Sequence, residues 1–255
     1  MTNLRTTATI LLAAVLTLSG CKSNAPTPTP TTEPAQAAPT PVANAGSISG
    51  VIHFTGKPPA RVKIDMSMDP ACAMTAAEND AEQYIVANGK LANVYLYIKT
   101  GAPPSKAPAK TPPVVLDQKG CRYTPHVIAL QQGGSVEFRN SDPTMHNIHT
   151  TPETGEGSID VSQGPMGTAQ TRQFQQPEQM LPVRCNNHPW MNAFLNVSAT
   201  PFFAVSAADG SFTINGLPPG NYTLAAVHEK LGEQDIQITV APSSAAKADF
   251  TYAMK

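Results

Sequence analysis

From residue 46 onward the chain is written in short alternating runs, each broken by Gly, Pro, Asn or Asp before a helix could complete itself. A side chain that changes face at every residue suits a pleated strand with one buried side, and a break every few residues suits a hairpin or a corner. Ser47–Phe54, Ala92–Ile98, Val127–Leu130, Ser135–Arg139, Phe194–Val197, Ser211–Ile214, Tyr222–Val227 and Ile236–Val240 all read this way. Only Met74–Gln83 has helical character. The expectation is an all-β protein built of sandwiches. Composition agrees, since charged residues make up only 14% of the chain while 41% hydrophobic content is enough to fill a core. A net charge of −1 gives no footing for nucleic acid or for an anionic membrane surface.

The 25 prolines are concentrated in the chain rather than spread along it. Residues 22–45 interleave Pro with Thr and Ala and cannot bury enough apolar surface to fold, so 21–45 is read as an extended linker. A second cluster, Ala102 to Pro113, separates two strand-rich regions. Ahead of the linker, Arg5 precedes an apolar run from Ala8 to Leu18 and then small residues, the pattern of an export signal over 1–20. That run is short of the ~20 apolar residues a membrane span needs. Its end, Leu18-Ser19-Gly20-Cys21, resembles the lipobox of bacterial lipoproteins, which implies an acylated Cys21 as mature N-terminus. The same resemblance, with Lys22 after the Cys, implies a periplasmic or cell-envelope location, the outer membrane favoured. Membrane contact would then be through the N-terminal lipid only.

The chemistry lies between Val114 and Val197. His146 stands after a strand and a turn, and Cys185-Asn186-Asn187-His188-Pro189-Trp190-Met191 follows in one short loop. Two imidazoles and a thiolate with a weak axial thioether form the ligand set of a mononuclear copper site, in which soft sulfur suits Cu(I) and imidazole retains Cu(II). Zinc rarely recruits Met. His149 is close in sequence to His146, but the two side chains need not converge.

These residues resemble the cupredoxins, the blue type-1 copper proteins that include plastocyanin and amicyanin, as does the run from Tyr123 to Asn140 with its Gly133-Gly134 turn. The resemblance implies a Greek-key sandwich over 112–200 holding one copper ion, with His146, Cys185, His188 and Met191 as ligands. It further implies that Asn147 orients the Cys sulfur, and that His188 lies at the solvent edge beside an apolar docking patch of Pro189 and Trp190. Pro182 and Arg184 before Cys185 depart from the family pattern.

Ser47–Phe54, the Gly56-Lys57-Pro58 turn, Asn93–Tyr97 and the stretch Asp209–Leu224 with its Pro218-Pro219-Gly220 turn resemble the carboxypeptidase regulatory-like, or transthyretin-like, sandwich. Its opening pieces precede residue 100 and its closing pieces follow residue 200, so we expect 46–111 and 201–255 to form one sandwich split by the copper domain. Two sandwiches in series also fit. With Cys21 given to lipid and Cys185 to metal, Cys72 and Cys121 are the natural disulfide, the alternative being two buried or free thiols.

No Ser/His/Asp, paired-carboxylate or phosphate-loop arrangement stands out, so the expectation is a carrier and not an enzyme. It would exchange one electron with a c-type cytochrome or a dehydrogenase, as the resemblance implies. A copper-holding or delivery lipoprotein, and a surface interaction module, are the alternatives.

Overall fold

A computed structural model describes residues 44–75 and 79–254; the export signal, Cys21 and the linker to residue 43 lie outside the described residues. The chain is all-β, with four sheets arranged around two cores. Gly46–Thr55 is the centre of the first sheet, paired antiparallel with Ser211–Leu217 and with Lys90–Leu91, and parallel with Ala245–Lys247 and Phe250–Ala253. Facing it is a sheet ordered Phe203–Val205, Tyr95–Thr100, Gly220–His228, Gly232–Val240. Ile48, Ile52, Leu96, Leu224 and Phe250 meet between them.

The chain leaves these sheets after Thr100 and returns at Phe203. Between those points it forms a second pair. One sheet runs Asp160–Gln163, His146–Thr150, Glu178–Arg184, Asn192–Ser198, Val127–Gln131, and the other runs Gln170–Gln173, Ser135–Asn140, Val114–Gln118, Tyr123–Thr124. Leu116, Phe138, Ile148, Leu195 and Val197 fill the space between them.

Local sequence explains the corners. Asp209 Oδ1 accepts from Ser211 N, and Gly210 follows at φ 74°, a left-handed turn that glycine adopts without strain. At Gly50, inside the first strand, a Cβ would lie 1.7 Å from the Ala248 carbonyl oxygen, so a side chain there would push the parallel C-terminal strands away.

Two expectations are corrected. The helix expected over Met74–Gln83 is instead Pro70–Thr75. Asp69 caps it, its Oδ1 accepting from Ala71 N, and Pro70 supplies the fixed φ of a first helical residue. Asp80, inside the expected helix, instead bridges to Lys63, and its carbonyl accepts from Arg61 and Arg122. In addition, Met66 and Cys72, within the 46–111 segment assigned to the first sandwich, are part of the second core.

The two sheet pairs meet at a buried hydrogen bond, His126 Nε2 to Glu229 Oε1 at 2.6 Å, and beside it His228 packs between the rings of Tyr84 and Tyr252. Burial pushes His228 down to about 4, against the pull of Glu229. A folded-state value below the unfolded one means that the unfolded chain binds the extra proton, so stability is full above pH 6.5 and is lost as pH falls toward 4. The expected loss across that window is about 2 to 3 kcal/mol. Urea unfolding of the metal-free chain at pH 7 and at pH 4.5 measures it, and His228→Phe should flatten the difference.

Candidate metal centre

The site is assembled from three segments. The first is the loop before the strand His146–Thr150. Asn140, buried, donates through Nδ2 to the carbonyls of Thr144, Gln163 and Gly164, and its Oδ1 accepts from Asp142 N. The loop is thereby clamped, and Asp142 is aimed inward. The Asp142 carboxylate accepts from the backbone N–H of Gly120 and Cys121, both at 2.7 Å, and Oδ2 lies 2.9 Å from His146 Nε2.

The second segment is the loop 185–191. Met191 N donates to His188 O at 2.9 Å and Cys185 N to Met191 O at 3.3 Å, so the loop closes on itself directly after the strand Glu178–Arg184. Cys185, His188 and Met191 are all buried. The third segment is the turn and helix around Asp69, which a Cys72–Cys121 disulfide ties to the second sandwich with a Cα separation of 5.5 Å. Asp69 Oδ2 is 3.0 Å from His188 Nε2 and accepts from Thr144 Oγ1 at 2.8 Å.

These contacts bring one ligand atom each of His146, Cys185 and His188 within 4.8 Å of one another. His146 Nδ1 and His188 Nδ1 are 3.0 Å apart, and Cys185 Sγ is 3.5 Å from His188 Nδ1. Each imidazole has a carboxylate at its Nε2, which places a ring proton on that nitrogen and, in the neutral ring, leaves Nδ1 as an acceptor. With both rings neutral, two lone pairs and a sulfur converge on one point with no donor between the nitrogens. A shared proton or a cation relieves that arrangement, so the donor set fits a metal ion.

Burial works against the charged form of His146, but Asp142 and Cys185 outweigh it and the ring is raised to about 9. For Cys185 burial again opposes charge; the His146 ring, the N–H groups of Asn187 and Asn147, and His188 together lower the thiol to about 7. A thiolate, the form that binds metal, is therefore accessible near neutral pH.

The Asn147 backbone is among the groups that lower the Cys185 thiol, and its side chain accepts from Asn186 N and donates to Asp160. Met191 is 2% exposed and shares the core cluster of Cys185. His149 turns away and contacts Asn186 Oδ1 through Nδ1. The groupings of Asp69 and Cys72 with His188, and of Cys121 and Asp142 with His146, lie behind the same two rings, and their cysteines are already bridged to each other.

One expectation fails plainly. His188 is not at a solvent edge; it is 4% exposed, covered by Asp69 and by Cys72, whose Sγ is 3.7 Å from Nε2. Trp190 beside it is part-buried, its indole N–H donating to Cys121 O and its ring packing on His188 at 5.1 Å, while Pro189 is exposed. The reason is the disulfide, which pulls a segment from far upstream across this end of the sandwich. Reasoning from sequence also missed Asp69 and Asp142. Asp142 had a local signal, four residues before His146 in an Asn-Ser-Asp-Pro turn, whereas Asp69 acts across 119 residues.

Carboxylates behind ligating imidazoles raise ligand basicity, and removing one commonly weakens metal binding 10- to 100-fold. Asp69→Asn keeps one oxygen to cap the Ala71 N–H but puts an amide NH2 where Oδ2 accepts from Thr144 and His188, so it removes both the charge and the acceptor from His188. We expect metal affinity to fall about 10- to 100-fold in competition with a chelator.

A family model of the β-sandwich domain of ER membrane protein complex subunit 7 matches residues 182–255. The matching sandwich family is this one, and not the carboxypeptidase regulatory-like family expected from the opening and closing strands. No curated protein matches the chain. Among solved structures, the copper-containing nitrite reductase NirK of Thermus scotoductus SA-01 aligns at 22% identity and TM-score 0.32 over 37% of this chain, which spans only 25% of that enzyme. A methionine-to-alanine variant of amicyanin in its Cu(I) form aligns at 20% identity and TM-score 0.31, over 40% of this chain and 97% of its own.

Proposed function

We propose that the protein is a copper-binding one-electron carrier in which His146, Cys185, His188 and Met191 would hold the ion. The observation that carries this reading is the preformed convergence of both Nδ1 atoms and the Cys185 sulfur, with each imidazole held from behind by a carboxylate. Copper, when bound, supplies the redox chemistry by alternating between Cu(II) and Cu(I). The chain's own part is to hold the donors still. Asp142 and Asp69 fix the rings, Asn147 and Asn187 direct N–H groups at the sulfur, and the disulfide-linked cover keeps water from His188.

Buried, fixed ligands suit electron transfer better than metal delivery, which needs ligands that an acceptor can reach. On this reading the protein is a lipoprotein tethered at Cys21 in the periplasm or cell envelope. Its partner is a redox protein such as a c-type cytochrome or a dehydrogenase, and it is not itself an enzyme.

Mixing the copper-loaded chain with a reduced c-type cytochrome is the test. One haem should be oxidised per Cu(II), with the copper staying on the protein in the presence of a chelator. Transfer of copper to the chelator without haem oxidation would put delivery in place of electron transfer.

A further inference from the structure

Methionine is among the side chains most often buried. In this chain Met66 and Met191 are buried, at 4% and 2%, but Met68, Met145 and Met166 are 74%, 49% and 69% exposed. These three stand on three loops that hydrogen bonds hold together at one end of the second sandwich. Met68 precedes Asp69, and Met145 follows Thr144, which donates to Asp69 Oδ2 at 2.8 Å. Asn140 ties the Thr144 carbonyl to that of Gly164, and Met166 N donates to Asp142 O at 2.9 Å.

Each of these three residues is joined, by one peptide bond or one backbone hydrogen bond, to a residue of the buried centre. Met145 adjoins His146, Met68 adjoins the carboxylate on His188, and Met166 is bonded to the residue whose carboxylate holds His146. Met74 and Met254 are exposed as well, but only these three flank the bonds that join the loops.

Met166 adds a separate observation. Its φ is 48°, in the left-handed region where a side chain costs roughly 1 kcal/mol or more and where Gly or Asn would sit without strain. An exposed apolar side chain at a strained turn gains nothing from packing. Its thioether is what distinguishes it from the residues that the turn prefers.

We propose that Met68, Met145 and Met166 form a second, surface site for a soft monovalent ion, Cu(I), at the entrance to the buried centre. Thioethers select Cu(I) over Zn(II) and over Cu(II) held by nitrogen and oxygen. The inference rests on the copper reading of the buried centre for the identity of the ion. It gives that centre what its burial otherwise denies it, a landing place from which an ion passes beneath the cover.

Silver(I) is a redox-inert probe with the same softness. Calorimetric titration of the full chain should show two Ag(I) bound. Cys185→Ser should bind one, the triple variant Met68→Leu, Met145→Leu, Met166→Leu one, and the combination none. In Cys185→Ser, labelled-methyl NMR should show shifts at Met68, Met145 and Met166 and none at Met254. Leu keeps the volume at exposed positions, so folding is not at stake. If the triple variant binds as the wild type does, or if Met254 shifts equally, the surface site is wrong whatever the buried centre does. If Cys185→Ser still binds two ions and the triple variant loses one, the surface site stands and the buried-centre reading fails.

Discussion

One equivalent of Cu(II) added to the chain should produce an intense band at ~600 nm from thiolate-to-copper charge transfer, and Cys185→Ser should abolish it. The effect is expected to be total, because the band belongs to the sulfur–metal bond and Cys185 is the only free cysteine among the described residues. Serine nearly preserves the shape of the buried side chain, so the circular dichroism of the variant should match the wild type. His146→Ala is a harsher probe of the same centre. It should remove the band and also destabilise the fold, since the buried Asp142 carboxylate loses the ring it faces at 2.9 Å and keeps only its two backbone donors. A band that survives in Cys185→Ser would show that the sulfur is not a ligand, and the electron-carrier reading would fall with it.

How much of this was legible in the sequence depended on how far each signal travels along the chain. Cys185, His188 and Met191 could be read together because a seven-residue loop closes on itself whatever surrounds it. Strand alternation read correctly for the same reason, since which face is buried is decided residue by residue. The helix lies earlier than expected because its start signal is Asp69-Pro70, and from Asp80 on the backbone is committed elsewhere. Asp69 and the burial of His188 were beyond reach. Nothing near residue 188 announces a carboxylate from residue 69, and a resemblance that covers only the inserted sandwich carries no information about a cover supplied from outside it. The identity of the outer sandwich was similarly weak, resting on turns that many β-sandwich families share.

That cover is the part of the molecule most dependent on a single bond. Replacing both Cys72 and Cys121 with Ala releases a loop spanning 49 residues, and the chain-entropy relation gives a loss of about 4 kcal/mol. The double variant is the right one, because a single substitution would leave a thiol beside a ligand: Cys72 Sγ is 3.7 Å from His188 Nε2. Urea unfolding of the metal-free protein would read the stability change, and the rate at which diethyl pyrocarbonate modifies His188 would read the exposure. We expect both to move, with His188 changing from protected to reactive, since without the bridge the segment is held mainly by Asp69 and its partners Thr144 and His188. If stability falls as expected and His188 stays protected, those three polar groups are sufficient to keep the cover closed, and the disulfide's role is confined to the unfolded chain. If instead His188 opens, the disulfide is what keeps solvent from that ring.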